Sequence, residues 1–256
     1  MAADLLLALI DATLASTAAI LLVLLARRPL RRLAGPAVAC LAWALVPLAV
    51  LAAWMPGLPA PPMPPALQPV LALPDAAAIT GATVRAAGAG AAMTLLALWG
   101  AGCLLVAASF AARQRAFTAR LARGNAPPGP AVVGLWRPRI VLPEDFTRRY
   151  SAQEQALVLE HERQHLRRGD LPALALCAAL RALFWFNPLV HLAAARLRQD
   201  QELACDAAVL ARHPHLRRAY GEAMLKTDLA DVGAPVGCHW QSCQSLKERL
   251  MMLKRN

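Results

Sequence analysis

Between Leu5 and Leu25 the chain is almost continuously apolar, long enough as a helix to cross the roughly 30 Å hydrocarbon core of a bilayer. Basic residues do not precede this run. They follow it, as Arg27, Arg28, Arg31 and Arg32, which excludes a secretory signal. Because arginines are retained on the cytoplasmic side, the cluster places the N-terminus outside. Ala34 to Trp54 returns the chain outward, with Pro47 as an expected kink and Trp43 and Trp54 as expected interface anchors. Gly88 to Ala112, rich in small residues that suit close helix packing, is the third span. It is followed by Arg113, Arg115, Arg120 and Arg123. The intervening stretch, about residues 55–88, is proline-rich and holds one basic residue, Arg85, as expected of a semi-rigid extracytoplasmic loop. Asp11 is the odd residue of the first span, readable as a signalling contact or as a polar bond between helices.

A composition 58% hydrophobic and only 17% charged agrees with a membrane protein. The formal charge of +11 raises nucleic acid as a partner. No basic, aromatic-interleaved module accompanies it, so direct nucleic-acid binding is not expected, and retained arginines beside anionic lipid explain the charge. The six cysteines are scattered, as reduced thiols acting as small hydrophobes would be. Cys238, His239 and Cys243 lack the partner pair a metal knuckle needs.

Chemistry is concentrated in Ser151 to Asp170, which contains His161-Glu162-Arg163-Gln164-His165. In this H-E-x-x-H pattern, residues four apart share a helix face. Two imidazoles then bind one zinc ion, and Glu162, one position round, is the candidate general base. A capping box, Ser151 with Glu154, predicts the helix start, and Gly169 with Pro172 its end. A catalytic zinc needs three protein ligands and one open position. Glu202 and Asp206, four apart in an otherwise apolar stretch, read either as surface acids answering Arg196 and Arg198, or as a third ligand with an acceptor orienting an imidazole N–H.

The segments GLWRPRIVLP from Gly134, LEHERQHLRRGD from Leu159, FWFNPLVH from Phe184 and RLRQDQELACD from Arg196 together resemble the BlaR/MecR-type membrane zinc metallopeptidases. The resemblance implies a gluzincin-like domain facing the cytoplasm, with one Zn²⁺ on His161, His165 and Glu202, and Glu162 as base. It also implies a cytoplasmic protein substrate, a winged-helix transcriptional repressor. Sensor members of that family carry a further span and an extracytoplasmic β-lactam-binding domain. Neither follows here, which argues against antibiotic sensing by this chain.

The expected fold is mainly α: a three-helix membrane region over residues 1–112, and a cytoplasmic zinc metallopeptidase domain over 113–256 with a small β element between Asn125 and Pro143. That element is readable as a substrate-holding strand edge or as a structural hairpin. Leu171 to Phe186 is too short to span and would, if it crossed, separate Glu202 from the histidines. A buried helix of the peptidase domain is therefore expected, with a dip into the membrane interface left open. Asn187 and Pro188 start the next helix, which runs to about Arg212. His191, about three turns before Glu202, reads as a core or interfacial residue or as a group assisting in the site. His213, His215, Tyr150 and Tyr220 are candidate transition-state donors. The tail from Tyr220 reads as amphipathic helix interrupted at Gly233, Pro235 and Gly237. Rival functions are a membrane quality-control protease and a non-catalytic scaffold that binds a regulator.

Overall fold

In a computed structural model the described residues are 1–55, 88–231, 247–249 and 251. The proline-rich loop, Cys238, His239, Cys243 and the expected breaks at Gly233, Pro235 and Gly237 lie outside them. Three helical segments are long and apolar enough to cross a membrane: Ala2–Leu33, Pro36–Trp54 and Gly90–Ala122. The first is α1. The second comprises α2 (Pro36–Leu41), a 3-10 turn (Ala42–Ala44) and α3 (Leu45–Trp54). The third lies within α4 (Gly88–Ala122).

The irregularity expected at Pro47 falls just upstream of it, in the 3-10 turn. Proline has no N–H for the carbonyl four residues back and crowds it, so the helix tightens there. Trp43 is not an interface anchor. It is buried, and its indole N–H donates to Asp200. The helix of the third span continues ten residues past its expected end, because Ala, Arg and Gln after residue 112 are strong helix formers. Asp11 is exposed on α1.

The β element is a hairpin of β1 (Ala131–Val133) and β2 (Arg139–Val141), antiparallel, with Val132 opposite Ile140. Gly134 follows β1 at φ +95, where a Cβ would lie 2.6 Å from the Arg137 carbonyl oxygen. Only glycine fits that turn. After the short α5 (Phe146–Arg149) come α6 (Ala152–Arg168), α7 (Asp170–Leu183), α8 (Pro188–Arg212), a 3-10 turn (Pro214–Leu216) and α9 (Arg217–Asp231). Both capping-box bonds of α6 form: Ser151 N–H donates to Glu154 Oε2 at 2.7 Å, and Glu154 N–H to Ser151 Oγ at 3.3 Å. Gly169, left-handed at φ +69, ends α6. Asn187 Oδ1 caps α8 by accepting from Leu189 N–H at 3.0 Å.

α7 is less buried than expected. Among α7 residues only Asp170 is buried, so α7 is not the interior of a separate domain. Its tip lies among the spans. Phe184 joins Ile20, Val46, Val50 and Val190 in one core, and Asn187 Nδ2 donates to Thr17 Oγ1 at 2.9 Å in the middle of the apolar run of α1. Trp99 Nε1 donates to the Leu183 carbonyl at 2.8 Å. Gly102 of α4 lies under the Trp185 ring, which any Cβ there would overlap. The outer face of α7 stays apolar and exposed, as a surface that meets lipid does. Fourteen residues are too few to cross a bilayer, and the helix packs by its tip against the candidate spans.

A buried ion pair fixes α8 to α1. Arg27 Nε and Nη2 donate to the two Asp200 oxygens at 3.0 and 2.9 Å, and Trp43 Nε1 to Oδ2 at 2.8 Å. Asp200 is fully buried and Arg27 nearly so. Removing one partner leaves the other charged and unpaired, at a cost of about 3–5 kcal/mol. Asp200→Ala should therefore lower the unfolding midpoint in detergent strongly, whereas a substitution at exposed Asp11 should leave it unchanged; thermal scans of both variants check this.

Candidate metal centre

The two histidines of α6 face Glu202 of α8. His161 Nε2 lies 3.2 Å from His165 Nε2 and 3.4 Å from Glu202 Oε2, and His165 Nε2 lies 3.5 Å from Glu202 Oε1. Helical spacing brings the imidazoles together, and packing of α8 against α6 brings the carboxylate. The α7 turn between them therefore returns α8 to the same end of the molecule as α6, as sharing an ion requires.

The opposite edge of each imidazole fixes its tautomer. His165 Nδ1 lies 2.7 Å from Asp170 Oδ2, a carboxylate that can only accept, so Nδ1 carries the proton. Tyr220 O–H donates to Asp206 Oδ1 at 2.7 Å, leaving its oxygen to accept from His161 Nδ1 at 2.7 Å. Asp206 Oδ1 itself lies 3.2 Å from that nitrogen. Both Nε2 atoms then present lone pairs toward each other and toward a carboxylate. Three acceptors converging on one point repel unless a cation sits among them, so the donor set fits a metal ion. Two imidazole nitrogens and one carboxylate suit zinc with a position left open.

The electrostatics agree. Burial disfavours charge on His161, but Asp206 and Glu202 outweigh it and push its pKa up to about 10, so without a metal a proton on His161 Nε2 supplies the positive charge that this cage attracts. Burial likewise raises Glu202, but Arg249, His161 and His165 bring it down to about 2. Asp206 is held below the usual carboxylate range by Arg249 and His161 despite burial. Arg249 Nε and Nη2 donate to Asp206 at 2.7 and 2.9 Å, and its Nη1 lies 3.3 Å from Glu202 Oε2. Glu162 is buried, and burial lifts its pKa, with Glu202 adding to the rise and the imidazoles and Arg249 opposing it.

His165, Asp170 and Cys205 form a second group of ligand type, with Cys205 Sγ 3.4 Å from His165 Nδ1. That nitrogen is already bonded to Asp170. Burial, with Asp170 and Glu202, holds the Cys205 thiol well above its ordinary range, so it is protonated where a ligand has to be a thiolate. The first group is the better cation site.

Of the residues singled out in the sequence, His161, His165, Glu202 and Asp206 meet here, with Glu162 beside them. Asp206 is fully buried, and Arg196 bonds Gln199, so the surface-acid alternative fails for Asp206. Tyr220 is in the site, but it supports His161 and Asp206 from behind. Tyr150 bonds Thr227, and His191 bonds the Trp185 carbonyl at the turn between α7 and α8. Asp170 and Arg249 were not anticipated. A signal for Asp170 exists: an acid directly after the left-handed Gly169 turns back onto the last turn of α6, where His165 stands. Asp170→Asn should weaken metal binding by about 10–100-fold while the chain stays folded, as the loss of an orienting partner does; competition against a chromogenic chelator measures it.

A family model described as BlaR1 peptidase M56 matches residues 7–128 and 127–253. The regulatory protein BlaR1 of Bacillus licheniformis is 38% identical over 100 residues, 38% of this chain and 16% of that protein. The methicillin resistance mecR1 proteins of Staphylococcus aureus and Staphylococcus epidermidis are each 34% identical over 103 residues, 39% of this chain and 17% of theirs. The matched region is thus about a sixth of the length of these curated relatives. No solved structure matches. With the family model spanning both the membrane helices and the histidine-bearing helix, the chain belongs to the BlaR1 peptidase M56 family.

Proposed function

We propose that the chain is a membrane-bound, zinc-dependent endopeptidase of gluzincin type, acting in signalling on a cytoplasmic protein, a winged-helix repressor. Residues 113–256 would carry the peptidase and face the cytoplasm, with residues 1–112 as the membrane region and the N-terminus outside. The observation that carries the reading is the convergence of His161 Nε2, His165 Nε2 and Glu202 beside a buried Glu162. The name of the BlaR1 relative, a regulatory protein, favours signalling over quality control.

Zinc held by His161, His165 and Glu202 would acidify a water and polarise the scissile carbonyl. The remaining work belongs to the chain. Glu162 accepts a proton from the attacking water at its carboxylate and returns it to the leaving amine. Its raised proton affinity suits both halves of that task. Asp170 and the Tyr220–Asp206 pair hold the Nδ1 protons, which keeps both Nε2 lone pairs directed inward. Arg249 offsets the charge of Glu202 and Asp206.

The test is a proteomic comparison of cells carrying the wild type and Glu162→Gln. The expected result is a neo-terminus in a small DNA-binding repressor that depends on Glu162. Cleavage of many unrelated membrane proteins would favour quality control, and no dependent cleavage at all would favour a scaffold.

A further inference from the structure

Between the second span and the α7–α8 hairpin lies a cavity of about 480 Å³, well within the size range of small-molecule sites. Its walls are apolar over most of their length, from Ile20 and Val46 to Leu180 and Val190. One end is polar, made by Arg168, Asp170 and Gln201. Gln201 follows Asp200, the partner of Arg27, so this end is level with the arginines that close the apolar run of α1. Ile20 lies seven residues back along α1, about 10 Å deeper. The cavity therefore runs from headgroup depth into hydrocarbon depth. Leu41 and Leu176, also on its wall, are 71% and 48% exposed, so it opens sideways toward lipid.

The polar end holds an unmet donor. Arg168 Nε is buried and has no hydrogen-bond partner among the described residues. The Asp170 oxygen nearest it is 3.6 Å away, and the other oxygen is engaged by His165. Asp170 is thus within ion-pair reach but gives Nε no hydrogen bond, and a buried donor without one is costly. An anionic headgroup would satisfy it, and an acyl chain would fill the apolar length. A peptide segment is a poor fit, because its backbone N–H and C=O groups would find no partners along these walls.

We propose that this cavity is a lipid site that takes one acyl chain of an anionic bilayer phospholipid, with its phosphate at Arg168. The site is independent of the peptidase reading and would stand if that reading failed.

The full chain is placed in phosphatidylcholine nanodiscs containing a small fraction of phosphatidylglycerol. Either lipid in turn carries a photoreactive diazirine on its acyl chain, and labelled peptides are mapped by mass spectrometry. The phosphatidylglycerol probe should label Leu176 to Leu180 about five- to tenfold more than the phosphatidylcholine probe, the preference one guanidinium confers. Arg168→Gln should bring the two probes level. Ala173→Phe, which fills the cavity, should reduce labelling by both. Ala44→Phe, at an exposed wall position, serves as a second filling variant that leaves folding intact, checked by size exclusion and unfolding midpoint. Equal labelling by both probes in the wild type overturns the proposal. So does labelling unchanged by the filling variants, or crosslinks joining two copies through Leu41 and Leu176 in place of lipid adducts. No outcome depends on metal or cleavage.

Discussion

Glu162→Gln should abolish detectable cleavage while metal content and unfolding midpoint stay at wild-type values. The expected loss is about 100- to 10,000-fold, the usual contribution of a positioned general base. Glutamine keeps the size of the buried side chain and can still hydrogen-bond, so the packing of α6 is not disturbed. What it lacks is proton affinity. Glu162 is one residue from His161, but its Oε atoms are not among the three converging ligand atoms, so metal has no reason to leave. The measurement pairs metal analysis of the purified variant with cleavage of a quenched-fluorescent peptide library and of the candidate repressor. Retained metal with lost turnover separates a base from a ligand, and wild-type turnover would remove Glu162 from the mechanism.

Local signals in the sequence carried far, because they depend on chemistry within a few residues. Ser151 and Glu154 cap α6 as their spacing requires, Asn187 and Pro188 start α8, and Gly134 sits where the hairpin needs a positive φ. The i, i+4 rule put His161 with His165, and Glu202 with Asp206, on common faces. It could not say that the two faces meet, since that depends on how α8 crosses α6. Arg249 was hidden for the same reason, and the role of Tyr220 as a support for His161 and Asp206 was too, since each reaches the site from another element. Asp170, five residues after His165, had a local signal that went unread. The path of α7 was illegible on different grounds. Its fourteen residues are too few to span and too apolar for an ordinary surface helix, and hydropathy does not distinguish burial by protein from burial by lipid. The partners that settle its position, Thr17 with Asn187 and Trp99 with Leu183, are single polar contacts inside apolar surroundings. They leave no periodic trace.

Glu202→Ala is expected to lose the metal altogether. Two imidazoles remain, and affinity should fall by more than the roughly 10–100-fold that loss of an orienting partner costs. Because Glu202 is partly exposed and lies on the rim of the cage, the chain should still fold. Asp206→Ala is the informative contrast. Asp206 is fully buried and takes bonds from Tyr220 and from both Nε and Nη2 of Arg249, so its removal leaves the Tyr220 O–H unpaired and Arg249 with Glu202 alone, and should destabilise the fold more than Glu202→Ala does. A ligand role for Glu202 thus predicts a stable, metal-free protein, and a structural role for Asp206 an unstable one. Metal affinity of the wild type should also rise with pH across the neutral range. His161 is held protonated up to about 10, and a metal ion has to displace that proton, so falling proton concentration favours binding. Elemental analysis after dialysis, with unfolding scans of both variants and chelator competition from pH 6 to 8 on the wild type, separates these outcomes. A Glu202→Ala protein that retains stoichiometric metal would move the third ligand elsewhere, and with it the reason that α6 and α8 are brought together.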